Sequence, residues 1–94
     1  MQPIRFEYDQ QKAIGNLKKH GVAFDEAKTV FFDENAIRYY DPDHSEEEDR
    51  FIMLGLSLKL RALVVCHCFR TDDMSIRIIS ARKADKREAA AYGR

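Results

Sequence analysis

Ala62-Leu63-Val64-Val65-Cys66-His67-Cys68-Phe69 carries one polar side chain in eight positions. A run this short, nearly all apolar and bounded by turn chemistry, reads as a central strand covered on both faces. An amphipathic helix would instead show apolar residues every three or four positions. The flanks support this reading: Leu58–Arg61 forms a turn on one side and Thr71-Asp72-Asp73 a hairpin turn on the other. Upstream, Arg50–Ser57 is a second very apolar strand, with Gly55 marking a bulge or a close approach of another segment. Downstream, Met74–Arg82 is the last strand. Further out, Ala36–Tyr40 places Ile37 and Tyr39 on one face and Arg38 and Tyr40 on the other, followed by the turn Asp41-Pro42-Asp43-His44-Ser45. Four successive strands with short connections predict an antiparallel meander.

Helices frame the strands. Ile4–Tyr8 alternates as a short first strand, and Asp9 then caps a helix over Gln10–His20 with Ala13, Leu17 and His20 near one face. Gly15 weakens that helix by roughly 1 kcal/mol relative to alanine. Gly21 is its left-handed stop, after the basic last turn Lys18-Lys19-His20. A second helix is predicted from Asp25 to Phe32, with Phe24 before its cap as a hydrophobic staple. The final helix covers Ala84–Tyr92, where Asp85 and Glu88 have the spacing of a capping box. The expected fold class is α+β: two N-terminal helices, a four-stranded antiparallel sheet plus the short N-terminal strand, and a C-terminal helix, with the helices gathered on one face.

With 94 residues, 45% of them hydrophobic and 34% charged, the chain is expected to form a single globular domain over 1–94. Its net charge of zero hides an asymmetry. Residues 33–49 hold eight acids against one base, a net of −7, whereas residues 70–94 hold seven bases against four acids, a net of +3. A basic C-terminal third can attract phosphate, or it can be the solvated face of a charged small protein. Cys66 and Cys68 point to the same face of their strand, lack the spacing of a zinc site and read as buried thiols. No apolar run approaches the roughly 18 residues of a membrane span and no signal peptide is evident, so the expected location is the cytoplasm, without membrane contact.

The last strand carries the most chemistry. Strict alternation puts Ile76, Ile78 and Ser80 on one face and Ser75, Arg77, Ile79 and Ala81 on the other. Arg77 then needs a partner: a phosphate, solvent or a neighbouring acid such as Asp49. Arg82 and Lys83 stand where strand passes into helix, near backbone N–H groups that favour anions, so they form either a phosphate cradle or a merely solvated helix entry. His67 is either a hydrogen-bonded core residue or a general acid or base. His20 and His44 are weaker candidates, at a helix end and in an acidic turn. No histidine pair has tight ligand spacing, so no metal is expected. Phosphate-loop, dinucleotide and nucleophile-elbow motifs are missing.

Several blocks, in order and spacing, resemble the BrnT family of bacterial toxins. They are Phe6-Glu7-Tyr8-Asp9 with Lys12; Asn16-Leu17-x-Lys19-His20-Gly21-Val22-x-Phe24-x-Glu26-Ala27; Asp41-Pro42-Asp43-His44-Ser45; Arg50-Phe51 with Leu54-Gly55; Val64-Val65 with His67; and Arg77-Ile78-Ile79-Ser80-Ala81-Arg82-Lys83-Ala84, then Glu88 and Tyr92. The resemblance implies a RelE-like fold and a ribonuclease that blocks translation by cutting RNA without a metal or other cofactor. It implies a BrnA-type antitoxin as partner, two toxins with two antitoxins, with operator DNA contacted only through the antitoxin. Under it, Arg77 and Arg82 would stabilise transition-state charge, Lys83 would position the RNA backbone and His67 would act as base or acid. Arg50, Arg70 and Tyr92 would be RNA-binding positions. The alternatives are a non-catalytic module that keeps the antitoxin interface, or a small RNA-binding regulator.

Overall fold

The computed structural model describes residues 4–44, 48–70 and 75–93. The chain runs β1 (Arg5–Glu7), α1 (Gln10–His20), α2 (Phe24–Thr29), a 3-10 turn (Val30–Phe32), β2 (Ile37–Tyr40), a second 3-10 turn (Pro42–His44), β3 (Arg50–Leu56), β4 (Ala62–Phe69), β5 (Ser75–Lys83) and α3 (Lys86–Tyr92). The sheet has five strands in the order β1-β5-β4-β3-β2. β2 through β5 pair antiparallel, as the meander predicts. The sheet is nevertheless mixed rather than antiparallel throughout, because β1 pairs parallel with β5. Register explains the addition: Phe6 falls opposite Ile76 and delivers its ring to Phe31, 5.4 Å away edge-on. The hairpin turn expected at 71–73 lies outside the described residues, as does Met74.

α1 and α2 cover one face. Val22, Phe24, Ala27 and Val30 from the helical side meet Leu63, Val65, Ile78 and Ala81 from β4 and β5 to form the core. α1 begins at Asp9, whose carboxylate accepts the Lys12 N–H at 3.1 Å, and ends at Gly21 with φ 70°. Only glycine adopts that backbone without penalty. The second helix starts earlier than predicted, after Ala23, which offers no side-chain cap; Phe24 lies inside the helix and is core rather than staple. The last predicted turn tightens to 3-10, and Thr29 stitches it down: its hydroxyl donates to Glu26 O (2.7 Å) and accepts from Leu58 N (2.8 Å). Beneath it, the buried Glu26 carboxylate takes the Ser57 hydroxyl (2.7 Å) and both Nε and Nη2 of Arg61. Gly55 is a close approach and no bulge: a Cβ there would sit 2.7 Å from Val30 Cγ1 and 2.9 Å from the Ala36 Cβ.

The bulge is in β5. Ser80 lies opposite Cys66 and Ile78 opposite His67, leaving Ile79 as the extra residue. Side chains opposite one another across a ladder share a face. Ala81, opposite Val65, therefore joins Ile76 and Ile78 on the helix-covered face, and Ser80 joins Arg77 on the other. This corrects the strict alternation read from the sequence. Ala81 sits beyond the stretch that β1 pairs, and Asn16 of α1 takes over its backbone. The buried Asn16 amide donates to Ala81 O (2.8 Å) and Val22 O (2.9 Å) and accepts from Ala81 N (3.1 Å). α3 departs from the expected gathering of helices on one face: its Glu88 bonds Arg82, whose position opposite Val64 puts it on the face away from α1 and α2.

Candidate nucleic-acid interface

The face opposite α1 and α2 carries rows of side chains fixed by strand register. Arg50, Cys68 and Arg77 form one row across β3, β4 and β5; Ile52, Cys66 and Ser80 the next; Leu54, Val64 and Arg82 a third. From Cys68 to Val64 is four residues of β4, roughly 13 Å at strand rise. Tyr39 of β2 stands opposite Ile52 and extends the middle row. Between the rows runs a groove of about 460 Å³ lined by Tyr39, Asp41, Arg50, Ile52, Val64, Cys66, Ile79, Ser80 and Arg82. Its floor is apolar and its rim is polar. By strict alternation Arg77 and Arg82 would point to opposite faces; the bulge at Ile79 brings both to this one.

Two cations of this face, Arg82 and Arg77, stand beside acids. Arg82 makes an end-on pair with Glu88, Nη1 to Oε1 at 2.7 Å and Nη2 to Oε2 at 2.8 Å. That pair holds the Glu88 carboxyl below the usual carboxylate range, against the upward pull of burial. Arg77 Nη1 lies 4.0 Å from Glu48. The acid beside Arg77 is thus Glu48 rather than Asp49, which accepts the Tyr40 hydroxyl. Arg70 pairs with Glu7 at 3.0 Å and, with Arg77, lines a shallower depression at the β1 end. Burial, and then the charge of Glu88, raise the Tyr39 phenol above its ordinary value, so it stays protonated at neutral pH. Burial likewise pushes up both thiols, which are unpaired with each other, Cys66 in the groove wall and Cys68 buried.

Other expected positions lie elsewhere. His67 is fully buried on the helix-covered side, with Phe31, Phe51 and Phe69 at 4.8, 6.2 and 5.5 Å between ring centroids. Its Nδ1 is 3.1 Å from Val65 O and no partner meets its Nε2 among the described residues. Desolvation lowers its pKa to about 4. The ring therefore does not join the arginines. Lys83 stands opposite Leu63, so register turns it to the helix side, away from Arg82. Tyr92 is occupied with Asp33, its hydroxyl donating at 2.5 Å. The phosphate cradle expected at the helix entry is not available either, because a capping box closes it: Asp85 accepts Glu88 N (2.8 Å) and Glu88 accepts Asp85 N (2.9 Å). Sequence reasoning missed Tyr39, Asp41 and Ser80; the alternation of Ile37 and Tyr39 hinted at the first.

Residues 8–88 match the family model described as "Ribonuclease toxin, BrnT, of type II toxin-antitoxin system". The chain belongs to the BrnT ribonuclease toxin family. The crystal structure of the Brucella abortus ribonuclease toxin BrnT has a similar fold, with a TM-score of 0.66 over 88% of this chain and 99% of that one, at 20% identity. No curated protein matches. Membership makes the chain a ribonuclease toxin of a type II module, a class that works with an antitoxin partner. Among the described residues no helix is long and apolar enough to cross a membrane.

Proposed function

We propose that this BrnT-family chain, acting as a single domain over 1–94, cuts RNA on the sheet face where Arg50 and Arg82 line the groove and Arg77 stands beside it. One observation carries the reading: the β5 bulge sets Arg77 and Arg82 on the same face as Arg50, with Arg50 and Arg82 lining a groove of apolar floor and Arg77 in the same row as Arg50. A guanidinium offers planar paired donors that match phosphate oxygens, and three of them spaced along a sheet suit a polynucleotide backbone. In the proposed reaction the RNA 2′-oxygen attacks the adjacent phosphorus and the bond to the 5′-oxygen breaks. The 2′-hydroxyl proton leaves to a base, and the departing 5′-oxygen takes up a proton. The arginines offset the charge that builds on the phosphorane-like transition state. Tyr39, held protonated, is placed to supply the proton to the leaving oxygen, the part first expected of His67. Arg70 extends the phosphate track beyond Arg77.

The wider reading follows the family. It is a metal-independent, RelE-like endoribonuclease of the cytoplasm that blocks translation. A BrnA-type antitoxin restrains it, two with two, and carries the contacts to operator DNA. The test is cleavage of a labelled RNA by purified protein in the presence of EDTA. Wild type yields fragments while Arg77→Ala and Arg50→Ala do not, with circular dichroism unchanged. Cleavage undiminished in both variants, or complete dependence on a divalent ion, overturns the proposal. RNA binding without products favours the regulator instead.

A further inference from the structure

Glu88 has two attachments. Its Oε1 accepts from Arg82 Nη1 (2.7 Å) and from Asp85 N (2.9 Å), and its Oε2 accepts from Arg82 Nη2 (2.8 Å). One carboxylate thus starts α3 and grips the end of the Arg82 fork. The pairing is end-on, through the two terminal nitrogens. Arg82 Nε and the second N–H of Nη2, which together make the side edge of the fork, have no acceptor among the described residues. A guanidinium binds one oxyanion on its end and a second on that side edge, because its five N–H groups lie in a single plane. Arg82 is about half exposed and lines the groove. Left unpaired, its long side chain would sample many rotamers. α3 buries none of its residues, so its docking rests on side-chain bonds. At its far end Tyr92 donates to Asp33, which is itself fastened to Leu56 N at 2.8 Å.

We infer that Glu88 is a positioning residue for RNA cleavage: α3 holds Arg82 by its end so that its side edge meets the reacting phosphate. This rests on the groove reading above. The helix works as a brace for one arginine, anchored at Asp33 and acting at Arg82. Positioning of this kind acts on turnover more than on substrate capture, because charge attracts RNA whether or not the fork is aligned.

The experiment follows cleavage of a labelled single-stranded oligoribonucleotide by the full chain, with kcat and KM separated. Four variants are compared: Glu88→Gln, Arg82→Ala, the double variant, and Asp85→Ala. Glutamine can still accept from Asp85 N, so it keeps the cap while removing the charge and one of the two bonds to Arg82. The expected result is that kcat falls about tenfold in Glu88→Gln with KM changed less than about twofold. The double variant then matches Arg82→Ala, and Asp85→Ala, which breaks the cap alone, loses melting temperature but keeps its kcat. A Glu88→Gln variant with wild-type kcat overturns the inference while leaving the groove reading intact if Arg82→Ala is inactive. Faster cleavage by Glu88→Gln overturns it as well, making Glu88 a competitor of the phosphate. Full activity in Arg82→Ala removes Arg82 from the site, and the inference with it.

Discussion

His67 ties stability to pH through a ring that should contribute nothing to charge at neutrality. It is fully buried among Phe31, Phe51 and Phe69, and desolvation lowers its pKa from 6.5 to about 4. The unfolded chain therefore takes up a proton below 6.5 that the folded chain refuses until about 4. Because the unfolded state binds more protons in that window, stability is full above it and is lost as pH falls through 6.5. Integrating between the two values, the loss from pH 8 to pH 5 is about 2 kcal/mol, rising to about 3 kcal/mol near pH 4. In a chain of this size the urea midpoint should drop by about 1–2 M between pH 8 and pH 5. His67→Leu removes the titration and His67→Gln serves as a polar control; both should show a flatter profile than wild type over this interval. The carboxyls whose values are depressed, such as Glu26 and Glu88, titrate at lower pH in all three proteins. Equal losses in wild type and both variants, or a ring titrating near 6.5 by NMR, would refute the burial argument. The second result would also return His67 to the list of acids and bases open to substrate.

Four further outcomes can be measured directly. Arg50→Ala should weaken binding of single-stranded RNA and flatten the slope of log affinity against log salt by about 0.7, as expected for one lost phosphate contact; an unchanged slope separates Arg50 from the backbone. Glu26→Ala removes the acceptor shared by the buried Ser57 hydroxyl and the Arg61 fork, and thermal or urea unfolding should show a loss of about 2 kcal/mol. Asn16→Ala leaves both backbone groups of Ala81 unmet in a buried place, costing about 2 kcal/mol by the same measurement. Leu60 holds φ 63° at the exposed β3–β4 turn, so Leu60→Gly should gain about 1 kcal/mol, seen as a higher melting temperature.

Most of the fold was legible because its signals are local. The apolar run of β4, the caps at Asp9, Gly21 and Asp85, and the turn residues each act within a few positions. β1 was harder: three residues carry no pairing signal of their own, and only the position of Phe6 opposite Ile76 makes it a fifth strand. The site was legible as a list of cations and not as a constellation. Arg50, Arg77 and Arg82 were named, but Lys83 was grouped with them by its place next to Arg82 and His67 by its imidazole chemistry and the family resemblance, and register separates both. Tyr39 escaped notice because it lies 43 positions before Arg82 in the chain and meets it only across the sheet. The helix entry looked open to anions because its cap was not recognised as also engaging Arg82.

The extra residue in β5 works as a frameshift for side chains. Before Ile79, odd-numbered positions of the strand look toward the groove; after it, even-numbered ones do. Five steps separate Arg77 from Arg82, a spacing that in an unbroken strand would send one of them into the core. Pairing Ile79 in regular register instead would give a smoother ladder and a worse protein, with the Arg82 guanidinium driven toward Leu63 and the small Ala81 turned out to the groove face. The irregular backbone is what lets one strand serve the interior and the groove by turns.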